Sequence, residues 1–220
     1  MTDFATMRRM MVDGQIRPND VTDRRVIAAM LEIPREQFLP ASQAEIAYLD
    51  RDIPLGEAKA ESGRFLLKPM VLAKLIQALD LTEEDQVLDV GCASGYSSAV
   101  LARLSRIVVA LEQDTGLAAQ ARAALAGASH VTVVEGRLAD GYPAKAPYHA
   151  ILVNGMVETQ PEALLKQLRS GGRLVCVEGR GPAAKAMLYR RESDNVGGRP
   201  LFDASAHVLP GFAAPAAFVF

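Results

Sequence analysis

Two acids and a glycine turn are the residues in this sequence best placed to do chemistry. The segment VLDVGCASGY (87–96) leads from an apolar run through Gly91 and Gly95 into a helix-forming stretch that starts near Tyr96 or Ser97. Glycine permits a tight backbone and close ligand approach. Backbone N–H groups at the helix start can face a polar ligand. Asp89 ends the apolar run, where a purely structural residue is more often apolar. It is read as fixing the turn or meeting the ligand through water. Glu112 ends the next apolar run, IVVALE. An acid at that position can accept both hydroxyls of a ribose; the plainer alternative is a polar strand terminus. The turn lacks the Gly-x-Gly-x-x-Gly of a dinucleotide fold and the Lys-Ser/Thr of a P-loop. Those absences favour a nucleoside ligand without phosphates, such as S-adenosyl-L-methionine (SAM).

The elements that position these residues are legible from periodicity. Short β-branched runs at 86–90, 107–112, 131–136, 149–154 and 172–177 alternate with helical segments at 97–105, 115–125 and 161–168. This β-α-β-α order predicts an α/β fold, a Rossmann-like, doubly wound, mainly parallel sheet with right-handed crossovers. The N-terminal region reads as helical. Met7, Met11 and Ile16, then Val26, Ile27, Met30 and Leu31, fall at helical spacing, with Thr22 or Asp20 as the cap of the second helix. The stretch from Pro34 to Pro40 breaks that pattern. DRDIPLGEAKAESGRFLLKP then reads as irregular, and its Lys59, Arg64 and Lys68 as the basic face of a solvated loop, with a grip on a substrate carboxylate or phosphate as the alternative. Pro69 suits the first turn of a further helix. After Gly181, AMLYRRE and the terminal AAFVF read as strands, with SDNVGGRP as a polar turn between them. The expected organisation is a helical and substrate-loop region (1–80) joined to a nucleoside-binding core (81–220) in one compact unit.

Composition narrows the function classes. The formal net charge is -2, aromatics make up 5% and Trp is absent. Neither a global field nor stacking platforms favour nucleic acid, and acidic lipid is equally unsupported. The two cysteines, Cys92 and Cys176, predict a reduced, cytoplasmic setting rather than a disulfide scaffold. The N-terminal residues carry charges without an apolar h-region, and no apolar run approaches the ~20 residues of a membrane span. His130, His149 and His207 are scattered and adjoin no cysteine pair, so no metal site is expected.

Beyond these readings, the residues resemble a known family. VLDVGCASGY resembles the cofactor turn of class I methyltransferases, and QLRSGGRLV (167–175) resembles their later Gly-Gly turn before a strand. The fuller resemblance is to protein-L-isoaspartate O-methyltransferases. It is carried by MVDGQIRPNDVTDRRVIAAMLEIPREQFLP, YLDRDIPLGE, SGYSSAVLARL, VEGR, AKAPYHAILV and EALLKQLRSGGRLVCVEG. The resemblance implies a helical N-terminal region, antiparallel C-terminal strands and SAM as cofactor. It implies Asp89, Gly91, Cys92, Ala93, Gly95, Glu112, Gln113, Arg137 and Leu138 as cofactor positions. The implied reaction is methylation of the free carboxylate of L-isoaspartyl residues in damaged proteins, which starts their repair. The implied partner is a protein or peptide carrying isoaspartate, with neither nucleic acid nor membrane. A carboxylate nucleophile needs no strong base, so catalysis would rest on positioning and desolvation.

The sequence departs from the family pattern at several of these positions. The family has Thr-x-Ser-x-Pro after Gly-Glu, with hydroxyls that help hold substrate; here the segment is GEAKAESGRFLLKP. Counting forward from Gly56 puts Ala60 and Ser62 at the hydroxyl positions. Counting backward from Pro69 puts Phe65 and Leu67 there. Ser62 is the favoured catalytic, substrate-facing candidate. Ala93 replaces a glycine, which is comfortable only if its φ is negative. Arg137 follows Gly136 where the family has Asp, and arginine has no acceptor for an adenine amine. Leu138 would still line the adenine, Asp140 would substitute after a loop shift, and Arg137 would pair at the surface with Glu135 or Asp140. His149 also replaces an Asp. Two alternatives stand beside isoaspartyl methylation: a methyltransferase with another acceptor, and a non-catalytic binding protein on the same scaffold.

Overall fold

The computed structural model describes residues 2–55 and 63–215. Helix α1 (Phe4–Met11) continues through a π-turn at Val12–Ile16, and α2 spans Arg24–Glu32. The cap of α2 is Asp23, whose carboxylate accepts the Arg25 N–H at 2.8 Å. Neither expected cap serves. The Thr22 N–H donates to Gln77 Oε1, and Asp20 turns left-handed at φ 63 with its carbonyl accepting from Gln77 Nε2. Helix α3 (Pro69–Ala78) does open on Pro69 and buries Val71, Leu72, Leu75 and Ile76. That is one apolar stripe at helical spacing.

The stretch read as irregular is a β-hairpin at both described ends. Strand β1 (Ile53–Leu55) pairs antiparallel with β2 (Arg64–Leu66), Leu55 opposite Arg64 and Ile53 opposite Leu66. Side chains alternate across a strand, so Arg64 shares the buried face of β2 with Leu66. Arg64 is therefore no part of a solvated basic face. Ser62, Ala60 and Lys59 lie outside the described residues.

The main sheet has seven strands in the order β5-β4-β3-β6-β7-β8-β9. Strands β3 (Gln86–Val90), β4 (Ile107–Glu112), β5 (Val131–Glu135), β6 (Tyr148–Val157) and β7 (Leu168–Glu178) are parallel. Strands β8 (Lys185–Glu192) and β9 (Asn195–Asp203) add on antiparallel. The helices between parallel strands are α4 (Tyr96–Leu101), α5 (Thr115–Ala124) and the single turn α6 (Glu162–Leu165). The polar turn before β9 shrinks to Ser193-Asp194, because NVGGRP pairs as strand; Gly198 lies against the Tyr189 ring, where a side chain would clash. The AAFVF terminus is outside the described residues.

Central strands are mostly apolar because both sheet faces are covered. Val87, Val108, Ala150, Leu152 and Val175 join a core that includes α2 and α3, while Leu88, Val109, Ile151, Val153 and Leu174 join the opposite one. The chain leaves β3 in one direction towards β4 and β5, and returns to β6 on its other side. The crevice above β3 and β6 is thus the topological switch point, where open α/β sheets bind ligands.

Candidate active site

Strand β3 delivers Asp89 and the Gly91–Gly95 turn to that switch point. Gly91 and Gly95 have φ of 79° and 102°, in the region glycine enters without steric cost. The Gly91 and Cys92 N–H groups both donate to the Leu111 carbonyl, tying the turn to the end of β4. Ala93 contradicts the expected negative φ: it stands at +53°. Its N–H donates to Glu112 Oε2 at 2.8 Å, and the residue is buried. The hydrogen bond and the packing hold an alanine in a conformation that costs it about 1–2 kcal/mol. Ala93→Gly is accordingly expected to leave the melting temperature unchanged or raised. The same change at Ala150, buried in β6 without that backbone strain, should cost about 1 kcal/mol. Thermal unfolding of the two variants side by side checks the contrast.

Asp89 is fully buried, and its Oδ2 accepts the hydroxyls of Ser97 and Ser98, both at 2.6 Å. Burial pushes this carboxyl up to about 6; the two serines oppose that rise, nearby Glu112 adds to it and Arg64 lowers it. Asn154, from β6, donates to the Ser97 hydroxyl at 2.9 Å. Among the described residues, Asp89 Oδ1 and Asn154 Oδ1 are buried without a hydrogen-bond partner. Cys92 is buried and its thiol is held well above its ordinary value by that burial, which keeps it unreactive.

Glu112 closes β4 and is fully buried. It is saturated by protein donors. Oε1 accepts from Arg64 Nε at 3.2 Å and from the Gln113 and Asp114 N–H groups at 2.8 and 3.1 Å. Oε2 accepts from Arg64 Nη2 and the Ala93 N–H, both at 2.8 Å. The acid expected to take a ribose is thus in a bidentate ion pair with Arg64, itself buried. Sequence reasoning missed this because Arg64 looked like one charge in a basic run; the available signal was the strand alternation of Arg64 with Leu66.

Two side chains from outside the parallel core fill the crevice. A Cβ placed on Gly91 would come within 2.8 Å of Arg64 Nη2 and 3.4 Å of Leu209. One on Gly155 would meet Leu209 at 2.6 Å. Leu209 lies on a returning segment that hydrogen-bonds β6, Met156 N–H to the His207 carbonyl and Leu209 N–H to the Met156 carbonyl, both at 2.9 Å. The His207 ring stacks on Phe65 of β2, with centroids 3.4 Å apart. The cavity left between Arg64, Asn154 and Leu209 measures about 10 Å³, against roughly 300–1,000 Å³ for ordinary ligand sites.

The remaining predicted positions separate into two groups. Leu138 is buried in the core beside this site. Gln113 contributes its backbone N–H to Glu112, with an exposed side chain. Arg137 is exposed and paired at 3.7 Å with Asp140, while Glu135 pairs with Arg122. His149 accepts the Gln86 N–H at the opposite ends of β3 and β6, away from the switch point. The join between β2 and α3 is pinned: Arg35 donates to the Leu67 carbonyl at 2.9 Å and Asp52 accepts the Lys68 N–H at 2.8 Å.

Comparison with known proteins agrees with this architecture. The pattern of the family described as Protein-L-isoaspartate(D-aspartate) O-methyltransferase matches residues 7–201. A protein-L-isoaspartate O-methyltransferase of Methanoregula boonei is 44% identical over 170 residues, covering 76% of each chain. Protein-L-isoaspartate O-methyltransferase 1 of Rhodopseudomonas palustris is 39% identical over 199 residues, 89% of this chain and 79% of that one. Among solved structures, a protein-L-isoaspartate O-methyltransferase superposes with a TM-score of 0.78 at 24% identity, over 95% of this chain and 66% of that chain. A Plasmodium falciparum structure assigned to the same class, in complex with S-adenosyl-L-homocysteine, gives a TM-score of 0.76 at 16% identity, over 95% of this chain and 99% of that one. At those identities the structures speak for the fold.

Proposed function

The chain belongs to the protein-L-isoaspartate(D-aspartate) O-methyltransferase family, and from that premise we propose that its switch-point crevice binds SAM and serves methyl transfer to the free carboxylate of an isoaspartyl residue in a protein or peptide. The single observation that carries the siting is the pairing of a left-handed Gly91–Gly95 turn with Glu112 at the end of the neighbouring strand.

The residues present fit the frame of such a cofactor. Asp89 Oδ1 and Asn154 Oδ1 are buried acceptors with no partner among the described residues, a condition native structures rarely leave unexplained. Glu112 holds a carboxylate aligned by three backbone N–H groups, and Gly91 has no side chain beneath the Arg64 and Leu209 side chains that cover it. Bound SAM would supply an electrophilic methyl group on a sulfonium. The chain's own contribution is to hold the cofactor through Glu112 and the turn, to place a carboxylate in line with that methyl, and to keep water away. No side chain has to remove a proton, since the acceptor is already ionised at neutral pH. Rate then depends on geometry, where small misplacements are costly.

The test is radiolabelled methyl transfer from SAM to two versions of one peptide, isoaspartyl and ordinary aspartyl. Base-labile label should appear on the isoaspartyl peptide alone. Equal labelling of both peptides, or of neither, would rule out the proposed acceptor. Among the described residues no helix is long and apolar enough to cross a membrane.

A further inference from the structure

Glu112, the acid proposed to take the ribose, already has a ligand, and it comes from the protein. Arg64 meets Glu112 through both Nε and Nη2, at 3.2 and 2.8 Å, with the guanidinium and the carboxylate each buried. The Nη2 atom stands over Gly91, where the backbone was left bare for close approach. A parallel fork of this kind is among the stronger hydrogen-bonding arrangements available to a carboxylate. A sugar diol offers the same acid two neutral donors in place of two charged ones. Glu112 cannot serve both, because its oxygens already accept three backbone N–H groups.

We propose that Arg64 is an internal competitor for Glu112, so that nucleoside binding in this protein is an exchange in which the guanidinium is expelled and the ribose hydroxyls take its place. The inference rests on the functional reading above and adds to it a residue that sets cofactor affinity. The moving part is the side chain, not the hairpin. The junction after β2 is held by Arg35 at the Leu67 carbonyl and by Asp52 at the Lys68 N–H, and β2 keeps its three-residue register with β1. Removing the competitor should raise affinity, because the carboxylate keeps its three backbone donors and gains a free edge. The exchange also makes affinity depend on what receives the released guanidinium. Asp52, which lines the same cavity, is an acid on its wall.

Calorimetric titration of S-adenosyl-L-homocysteine into wild type and Arg64→Gln measures the competition. The variant is expected to bind at least about tenfold more tightly, as charge-assisted hydrogen bonds to one acid predict. A second measurement uses the wild-type protein and does not depend on how the variant folds. The Arg64 Nε–H, buried and bonded to Glu112, should give a solvent-protected signal in nitrogen-edited NMR, assigned by its loss in Arg64→Lys. Saturation with S-adenosyl-L-homocysteine should abolish that protection. Equal or weaker binding by Arg64→Gln overturns the exchange. So does a protected Nε–H in the ligand-saturated protein, and in both cases SAM binding itself stands. Failure of wild type and variant alike to bind at millimolar ligand would instead remove the functional reading, and the exchange with it.

Discussion

Replacing Glu112 by glutamine is expected to lower the stability of the protein by about 3–5 kcal/mol, the usual cost of removing one partner from a buried ion pair. The loss follows from what stays behind. Arg64 remains buried with its charge and loses its counter-ion. A glutamine oxygen can satisfy only some of the five donors now aimed at the carboxylate, and its amide nitrogen would face others. For a chain of this size each 1 kcal/mol moves the melting temperature by roughly 2–4 °C, so a drop of about 6–20 °C should be visible. Urea unfolding of Glu112→Gln, Arg64→Gln and the double variant gives the coupling directly. The double variant should recover much of the loss, because it removes both charges. A cost below about 1 kcal/mol for Glu112→Gln would mean that the pair contributes little and that the fork is loosely held.

Asp89→Asn should act in the opposite direction at neutral pH. Burial has moved the Asp89 carboxyl to about 6 in the folded protein, from an ordinary value of 3.8. The folded state therefore binds this proton more tightly than the unfolded chain. Its stability is highest where the group is protonated in both states, and falls as pH rises between about 4 and 6. Above that window the buried charge costs the fold about 3 kcal/mol. Asparagine keeps an oxygen for the Ser97 and Ser98 hydroxyls and carries no charge. The variant is expected to be more stable than wild type by up to about 3 kcal/mol at pH 8, and the gap should close towards pH 4. Denaturant unfolding across that range tests both the size and the slope. A constant difference at every pH would show that the burial of this charge is not the cause. The cost of an ionised, buried Asp89 fits a position held for ligand binding rather than for folding, as functional sites often carry shifted carboxyls.

Much of the fold was legible along the chain. The runs at 86–90 and 107–112 became β3 and β4 with those same limits, because a strand buried on both faces needs mostly β-branched and apolar residues. Pro69 opened α3 as its fixed φ allows. The family resemblance, dispersed over the N-terminal helices, the glycine turn and the Gly-Gly turn, pointed to the methyltransferase class that the comparisons bear out. Local chemistry was less secure wherever it depended on a partner far away. The helix cap went to Asp23 once Gln77 of α3 engaged Thr22. Ala93 took a glycine's φ because the Glu112 carboxylate, supplied by the next strand, holds its N–H.

What the sequence by itself determined is the frame: the strand order's raw material, the turn, and an acid at the end of the following strand. Those are short-range properties, written in periodicity and in the conformational limits of glycine and proline. What only the tertiary structure decided is the occupancy of that acid. Arg64 stands forty-eight positions before Glu112, in a stretch whose composition resembles a solvated loop. Its burial follows from the pairing of β2 with β1, which turns one face of a three-residue strand inward. A guanidinium carried into a dry crevice must find acceptors, and the Glu112 carboxylate supplies two. Spacing along the chain contains no trace of that encounter, because it is created by the fold that brings the two together.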